Sequence, residues 1–531
     1  MVCAGLLAGC GKKQPANSSE STVKESVTTS TETQQEVPSE PKELNVFAPS
    51  NSYVENINTN EFTLWYEEYS GVHVNWEIPS EKANDAFAMK IVGGDLPDVV
   101  YGLNFDIITR NVYGEDGVFI DLSDLIEEYA PNIKRLFEQY PELKESLTTE
   151  DGAIYGIPKI NQAAISNYSY MLWVYEPWLE ALNVDRNSIK TTEDLYNLYK
   201  LVAETDLNGN GKKDEIAFAA RGVSGSHGIL SYLMNCFTFT ISSGTGGYLV
   251  EKDAGIEFVA DTEEWREGLR FIHKLYNENL MLKDSISLDR TTLTSLGESE
   301  TPILFSSVGL WAPYFTTNNS QRSTEFVALA PVESPSGYIG TPINSLLDGK
   351  TYMHITSACE DPITAIKWLD GLWDEEPAAK AGLTSVVAAE PGQIAINGEQ
   401  ALYMSPETVS AAEPNTMWGT FYMNWRDPLS EFSTYYENPN THAIYVARAE
   451  GLEMYDPYAL DKTVNGVILE GDESAEYKEL HTAIQNVVVT NAASFITGEK
   501  SLDADWDAYV KELKDYGLER YLELVNKGYM Y

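Results

Sequence analysis

Between residues 44 and 101 the chain alternates short apolar runs with amphipathic ones. ELNVFAPS, VHVNWEI and LPDVVYG read as strands. FTLWYEEYSG, stopped at Gly71, and DAFAMKIVGG, ended by two glycines, read as helices. Strand, helix, strand, helix, strand has few solutions: parallel strands need long crossovers, and helices supply them, so the class is α/β. Ligands of such sheets lie beyond the carboxyl ends of the strands. That rule brings forward Ser50, Asn51, Tyr101 and Asn104. Further helices are expected in DLYNLYKLVAET, EEWREGLRFIHKLYNEN, PITAIKWLDGLW and SLDADWDAYVKELKDYG, and strands in TPILFSSVGLWAPYF and KTYMHITSACED. No tandem repeat suggests a solenoid or propeller.

At 531 residues the chain has room for about three domains, or two large ones. Its 36 Lys and Arg face 81 Asp and Glu, a formal charge of −45. Such a field repels phosphate backbones, so no nucleic-acid partner is expected. It also favours a neutral ligand over a uronic-acid chain. Cys236 and Cys359, far apart in the body, do not make a disulfide framework and are expected as small buried hydrophobes.

The first ten residues end in Leu7-Ala8-Gly9-Cys10, similar to the lipobox at which a bacterial lipoprotein is cut and its cysteine acylated. The apolar run is short for a signal core and has no basic start, so the start codon is expected to be incomplete or misplaced. Residues 11–43 are Ser, Thr, Glu and Gln with almost no large apolar side chain. They cannot bury enough surface to offset their ordering entropy, and read as a flexible stalk. Anchor plus stalk places the folded part on the extracellular face of the cell membrane, held by lipid alone. No later run reaches the roughly 18 apolar residues of a spanning helix.

GGDLPDVV, DLSDLIEEYAPNIKRLFEQYPELKE, DGAIYGIP, YEPWLEALNV and FITGEKSLDADWDAYVKELKDYGLERYLEL together resemble the extracellular solute-binding proteins of ABC importers. The similarity is to the long branch that includes alginate- and complex-oligosaccharide-binding proteins, and spans about residues 44–531. It implies a two-lobed, type II periplasmic-binding-protein-like fold, with the lobes joined by a hinge crossed more than once and the ligand between them. One lobe is expected at 44–158 plus 305–360, the other at 159–304 plus 361–531. It further implies a monomeric, lipid-anchored protein of a Gram-positive bacterium that hands an oligosaccharide to ABC permease subunits.

DLNGNGKKDEIAF places oxygen-bearing side chains at alternate positions with glycines between. In a helix-flanked calcium loop, side chains at positions 1, 3 and 5 and the carbonyl at 7 bind, glycine at 6 turns, and a carboxylate at 12 closes the sphere. Counted from Asp206, these are Asn208, Asn210, Lys212 and Gly211, but position 12 is Ala217. Glu215 is the replacement, with Asp214 direct or through water. The resemblance implies Asp206, Asn208, Asn210, the Lys212 carbonyl, Asp214 and Glu215 as ligands of a structural Ca2+. The alternative is a metal-free turn, since Asn-Gly pairs favour turns alone.

Sugars offer apolar ring faces and hydroxyl rims, so their sites pair flat aromatics with hydrogen-bonding groups. Trp311 and Tyr314 follow a strand; Trp418, Tyr422 and Trp425 lie in NTMWGTFYMNWRD. These, with Tyr53, Tyr101, Trp173, Asn51 and Arg426, are the ligand candidates, each weighed against core packing or, for Arg426, an ion pair. Trp368, Trp373 and Trp506, at helical spacing among apolar neighbours, are read as core. A secreted carbohydrate-active enzyme is the alternative function, but with so many acidic residues any carboxylate pair is uninformative. No HExxH, nucleophile elbow, dinucleotide fingerprint or P-loop occurs. No catalytic residue is therefore assigned. A ligand-sensing surface protein on the same fold is the third reading.

Overall fold

The computed structural model describes residues 42–529 apart from 51–53, 81, 150, 162–167, 169–170, 226, 242–246, 253–254, 344–349, 381–386, 389–390, 402, 405–414, 419–424, 427–433, 461, 463, 465–466, 468 and 470. Cys10 and the stalk lie outside the described residues.

The first sheet forms as the alternation predicts. Strands β1 (Lys42–Phe47), β2 (Val72–Glu77) and β3 (Val99–Asp106) run parallel, with β1 between the other two. The helix Glu61–Ser70 starts under Asn60, whose side chain accepts from the Phe62 and Thr63 amides, and stops at Gly71. Gly71 takes a φ of 68° and donates to the Glu67 carbonyl, a left-handed cap that suits glycine.

The second sheet is antiparallel. It centres on β4 (Met171–Tyr175), flanked by β5 (Ser306–Gly309) and β6 (Phe326–Leu329). The chain then returns as β7 (Lys350–Ile355), antiparallel to β3, with Lys350 opposite Asp106.

The described hydrophobic core falls into three clusters. Two draw on the sheet of β1, β2, β3 and β7 and make the first lobe; the largest is built on β4, β5, β6 and the helices Thr192–Glu204, Glu263–Asn277 and Gly471–Thr497 and makes the second. This corrects the expected boundaries twice. Residues 305–342 belong with the second core, because β5 and β6 hydrogen-bond to β4. The helix Pro362–Gly371 belongs with the first, where it buries Ile366, Trp368 and Leu369 and where the Trp368 carbonyl accepts from Tyr66 Oη. Among the described residues the chain therefore passes from one lobe to the other three times: before Tyr168, between Pro342 and Lys350, and after Trp418. A two-residue parallel pairing of Ile160–Asn161 with Trp425–Arg426 ties the first crossing to the third.

Strand direction follows from the crossings. β7 begins as the chain re-enters the first lobe, and its first residue faces the end of β3. The carboxyl ends of β1, β2 and β3 thus point at the crossings. In the second lobe β4 begins after a crossing, and Met171 faces Gly309 at the end of β5. Each sheet thus places carboxyl ends of strands at the crossings.

Cys236 and Cys359 are both free. His354, on β7, is fully buried, stacked 4.4 Å from Phe119, and its Nδ1 lies 2.9 Å from the Tyr155 carbonyl. A side chain at Gly156 would meet this ring at 2.5 Å, so glycine is required there. Burial pushes the His354 imidazole down from 6.5 to about 4. Between those values the unfolded chain binds the extra proton, so stability falls as pH drops from 6.5 through 4. Urea unfolding at pH 7 and pH 4 should show wild type losing about 3 kcal/mol more than His354→Asn, which keeps a donor for Tyr155. Parallel losses in the two proteins exclude the buried imidazole as the cause.

Candidate functional site

At the ends of β1 and β2 the first lobe has a cavity of about 350 Å3 lined by Ser50, Glu55, Asn56, Asn58, Trp76 and Ile78, among others. Asn56 shapes its wall: its side chain accepts from the Asn58 amide at 3.0 Å, and its own amide donates to Asn415 Oδ1 at 3.0 Å. Trp76 serves two surfaces. It packs edge-to-face on Trp418 at 5.4 Å and on Trp368 at 6.1 Å, while it also lines the cavity. Its indole N–H is buried without a partner. Sequence reading missed this residue because Val72, Val74 and Trp76 share the core-facing side of β2; at the strand's last turn that side runs out of sheet and meets the cavity. Of the strand-end candidates there, Ser50 lines the cavity, and Asn51 and Tyr53 lie outside the described residues.

In the second lobe Trp311 and Tyr314 stand just past the end of β5. Trp311 is half-buried, with Tyr445 edge-on at 5.3 Å and the Arg448 guanidinium 5.2 Å from its ring. Tyr445 in turn stacks on Tyr436 at 4.2 Å. Tyr314 lies 4.1 Å from the ring of His227. Between the lobes, Lys478 of the helix Gly471–Thr497 comes 3.9 Å from Asp106 at the end of β3; both are well exposed.

Three candidates are core residues instead. Trp418 is fully buried; its Nε1 donates to Thr63 Oγ1 at 2.8 Å and its ring meets Phe62 edge-on at 4.8 Å. Trp173, inside β4, donates from Nε1 to the Gly309 carbonyl at 3.0 Å. Tyr101, inside β3, is closed over by Trp368 and Trp418. In each case the indole or phenol is satisfied by the lobe's own packing, and no surface is left for a ligand. Trp425 and Arg426 sit at the third crossing by their backbone; their side chains, and Tyr422, lie outside the described residues.

The loop 206–215 folds around its own oxygens. Asp206 accepts from the Asn210 amide at 3.1 Å and the Gly211 amide at 2.9 Å. Asn208 Oδ1 accepts from the Asn210 amide at 3.0 Å, and Asn210 Oδ1 from the Lys212 amide at 2.8 Å. Successive side-chain oxygens are thereby turned to one side of the loop, and Gly209 and Gly211, with φ of 71° and 81°, permit the coil. Asp214 is exposed and takes amide hydrogens from Asn208 and Asn210, which hold its carboxyl below the usual range. Glu215 is buried; Oε1 accepts from the Leu207 and Asn208 amides at 2.7 and 3.1 Å, and Oε2 has no partner. Among the described residues no cluster of three His, Cys, Asp or Glu side chains converges on a metal position. The donor set here mixes carboxylates with amide oxygens, hard ligands of the kind calcium takes, and the unpartnered Glu215 oxygen is an open acceptor beside them.

No protein-family model matches the chain. It is 27% identical over 546 residues, covering 99% of this chain and 95% of the relative, to the fructooligosaccharide ABC transporter substrate-binding protein FusA of Streptococcus pneumoniae. A FusA EF-hand mutant in complex with fructo-nystose superposes with a TM-score of 0.68 at 22% identity, covering 92% of this chain and 98% of that one. A solute-binding protein of Bifidobacterium longum infantis, described as binding HMO and associated with an ABC transporter, gives 0.73 at 18% identity with the same coverage. The chain thus has the two-lobed α/β fold of solute-binding proteins, and its relatives are substrate-binding proteins rather than enzymes.

The assignment of Trp418 to the core predicts that Trp418→Ala costs about 3–5 kcal/mol in denaturant unfolding, the range for emptying a buried tryptophan site. A loss below about 1 kcal/mol returns Trp418 to the ligand candidates.

Proposed function

We propose that this homologue of ABC-transporter substrate-binding proteins captures an oligosaccharide outside the cell and delivers it to the permease of an importer. What supports this reading is a cavity lined by Trp76 at the strand ends of the first lobe and, in the second, Trp311 with Tyr314 just past the end of β5. A sugar ring has an apolar face for Trp311 and hydroxyls for Asn56, Asn58 and Glu55. Ligand touching both lobes binds the closed form better than the open one, and that difference drives closure. The closed form is then the surface a permease reads. Cys10 as lipid anchor, the stalk of 11–43 as tether and a monomeric state complete the proposal. Among the described residues no helix is long and apolar enough to cross a membrane.

Calcium belongs to the same proposal. Asp206, Asn208, Asn210, Lys212 through its carbonyl, Asp214 and Glu215 would hold the ion. Its role there is structural, joining the end of the helix Thr192–Glu204 to the Ile216–Leu304 bridge. A structure of FusA described as an EF-hand mutant supports the reading.

Differential scanning fluorimetry of the full chain against an oligosaccharide panel tests the first part. A ligand at a hundred times its Kd should add about 2.7 kcal/mol of apparent stability and raise Tm without being consumed. Trp311→Ala should weaken that binding tenfold or more, and should lower the unliganded Tm by less than Trp418→Ala does, because the ring is only half-buried against Tyr445 and Arg448. Hydrolysis of the sugar, or no shift with any member, ends the proposal.

For the loop, EDTA should lower Tm and added Ca2+ should restore it. Glu215→Gln should make the melt insensitive to both. A wild-type melt indifferent to EDTA and calcium removes the ion from the account.

A further inference from the structure

The segment leading to Arg221 runs parallel to β5, with Ile216 bridging Leu304 and Ala219 bridging Ser307. Arg221 therefore emerges beside Gly309, at the end of the second sheet that faces the crossings. There it meets His227: its amide donates to the His227 carbonyl at 2.8 Å and its Nη2 lies 3.3 Å from His227 Nδ1. The His227 ring packs on Tyr314, and the Arg290 guanidinium lies 5.5 Å from the same tyrosine ring. Gly309 admits this pair, since a Cβ there would come within 3.2 Å of Tyr314 Cβ and 3.3 Å of His227 Cδ2.

Arg186, Arg266, Arg270, Arg322 and Arg520 each hold a carboxylate. Among the described residues Arg221 and Arg290 hold none, and neither do Arg110, which donates to Asn111 Oδ1, and Arg135. What sets Arg221 and Arg290 apart is that both flank the His227–Tyr314 pair. Two guanidinium groups near one another repel, and a carboxylate would have been an easy neighbour to supply. His227 does not relieve them. An arginine only donates, so Nδ1 accepts and the neutral ring carries its hydrogen on Nε2, which is buried without a partner. Burial first, then the two arginines, push this imidazole down to about 4, which keeps it an acceptor for Arg221. The corner is thus rich in donors and lacks an anionic acceptor. Planar guanidinium pairs best with carboxylate or a similar oxyanion.

We propose that Arg221 and Arg290, set around Tyr314 and His227 at the cleft end of the second lobe, recognise an anionic substituent on the ligand, a carboxylate or a sulfate, so that the captured oligosaccharide is acidic. The inference rests on the oligosaccharide-binding reading and specifies its substrate class. It reverses the expectation of a neutral sugar drawn from the net charge. The two readings differ in range: at physiological salt the field of exposed charges decays within about 8 Å, whereas the two arginines act at contact.

Isothermal titration of the full chain would compare uronate oligomers of the pectin and alginate types, the methyl ester of the pectin oligomer, a sulfated galactan oligomer, and neutral fructooligosaccharides. One acidic arm should bind at least tenfold tighter than every neutral arm, and whether it is uronate or sulfate names the substituent. Arg221→Gln and Arg290→Gln should each cut that affinity tenfold or more, with unliganded Tm and any weak neutral binding unchanged, and the salt dependence should shrink. Neutral arms binding as tightly as acidic ones overturn the inference and leave the oligosaccharide reading standing. So does acidic binding indifferent to both substitutions. If no sugar of either class binds, both fall together.

Discussion

The antiparallel return of Lys350–Ile355 onto Val99–Asp106 is the pairing on which the rest of the architecture depends. A strand that re-enters a lobe must begin at the border with the other lobe. By pairing its first residue with Asp106 it fixes which end of the parallel strands looks outward and which looks across the gap. Met171 opposite Gly309 does the same in the second lobe. Neither pairing touches a ligand. Together they decide that loops after β1, β2 and β5 share one space, and loops are where a scaffold carries its binding groups.

What could be read in the sequence was what its neighbours determine. The stop at Gly71 and the coil of 206–215 close within a few residues, and both stand where the pattern puts them. The lobe boundaries were not legible. Residues 305–342 and 350–371 are equally apolar and equally regular, and only the pairing of β5 with β4 and of β7 with β3 separates them. Trp311 and Trp418 make the same point at single residues. Both sit in short aromatic, polar stretches, yet Trp418 finds Thr63, 355 positions away, and is sealed by it. Partners that distant leave no local trace.

The two polar constellations differ in the same way. The 206–215 loop turns its oxygens to one side through hydrogen bonds spanning two to eight positions, so its chemistry can be read from a dozen letters. The corner at Arg221 gathers residues from 221 to 314, brought together by a bridge between strands and a glycine that lets two rings close over it. Its signal lies in two guanidinium groups gathered around one pair of rings, and only an arrangement in space can show that.

The contact between Asp106 and Lys478 has a mechanical meaning. Asp106 already caps the helix Ile107–Glu115 through the Thr109 amide at 2.7 Å, so its carboxylate stays satisfied if the lysine leaves. The lysine, equally exposed, returns to water. An ion pair of this kind contributes at most about 1 kcal/mol. Parting this pair therefore strands no charge, and of itself the contact would restrain a hinge only weakly. How long it stays shut is left to whatever lies inside it.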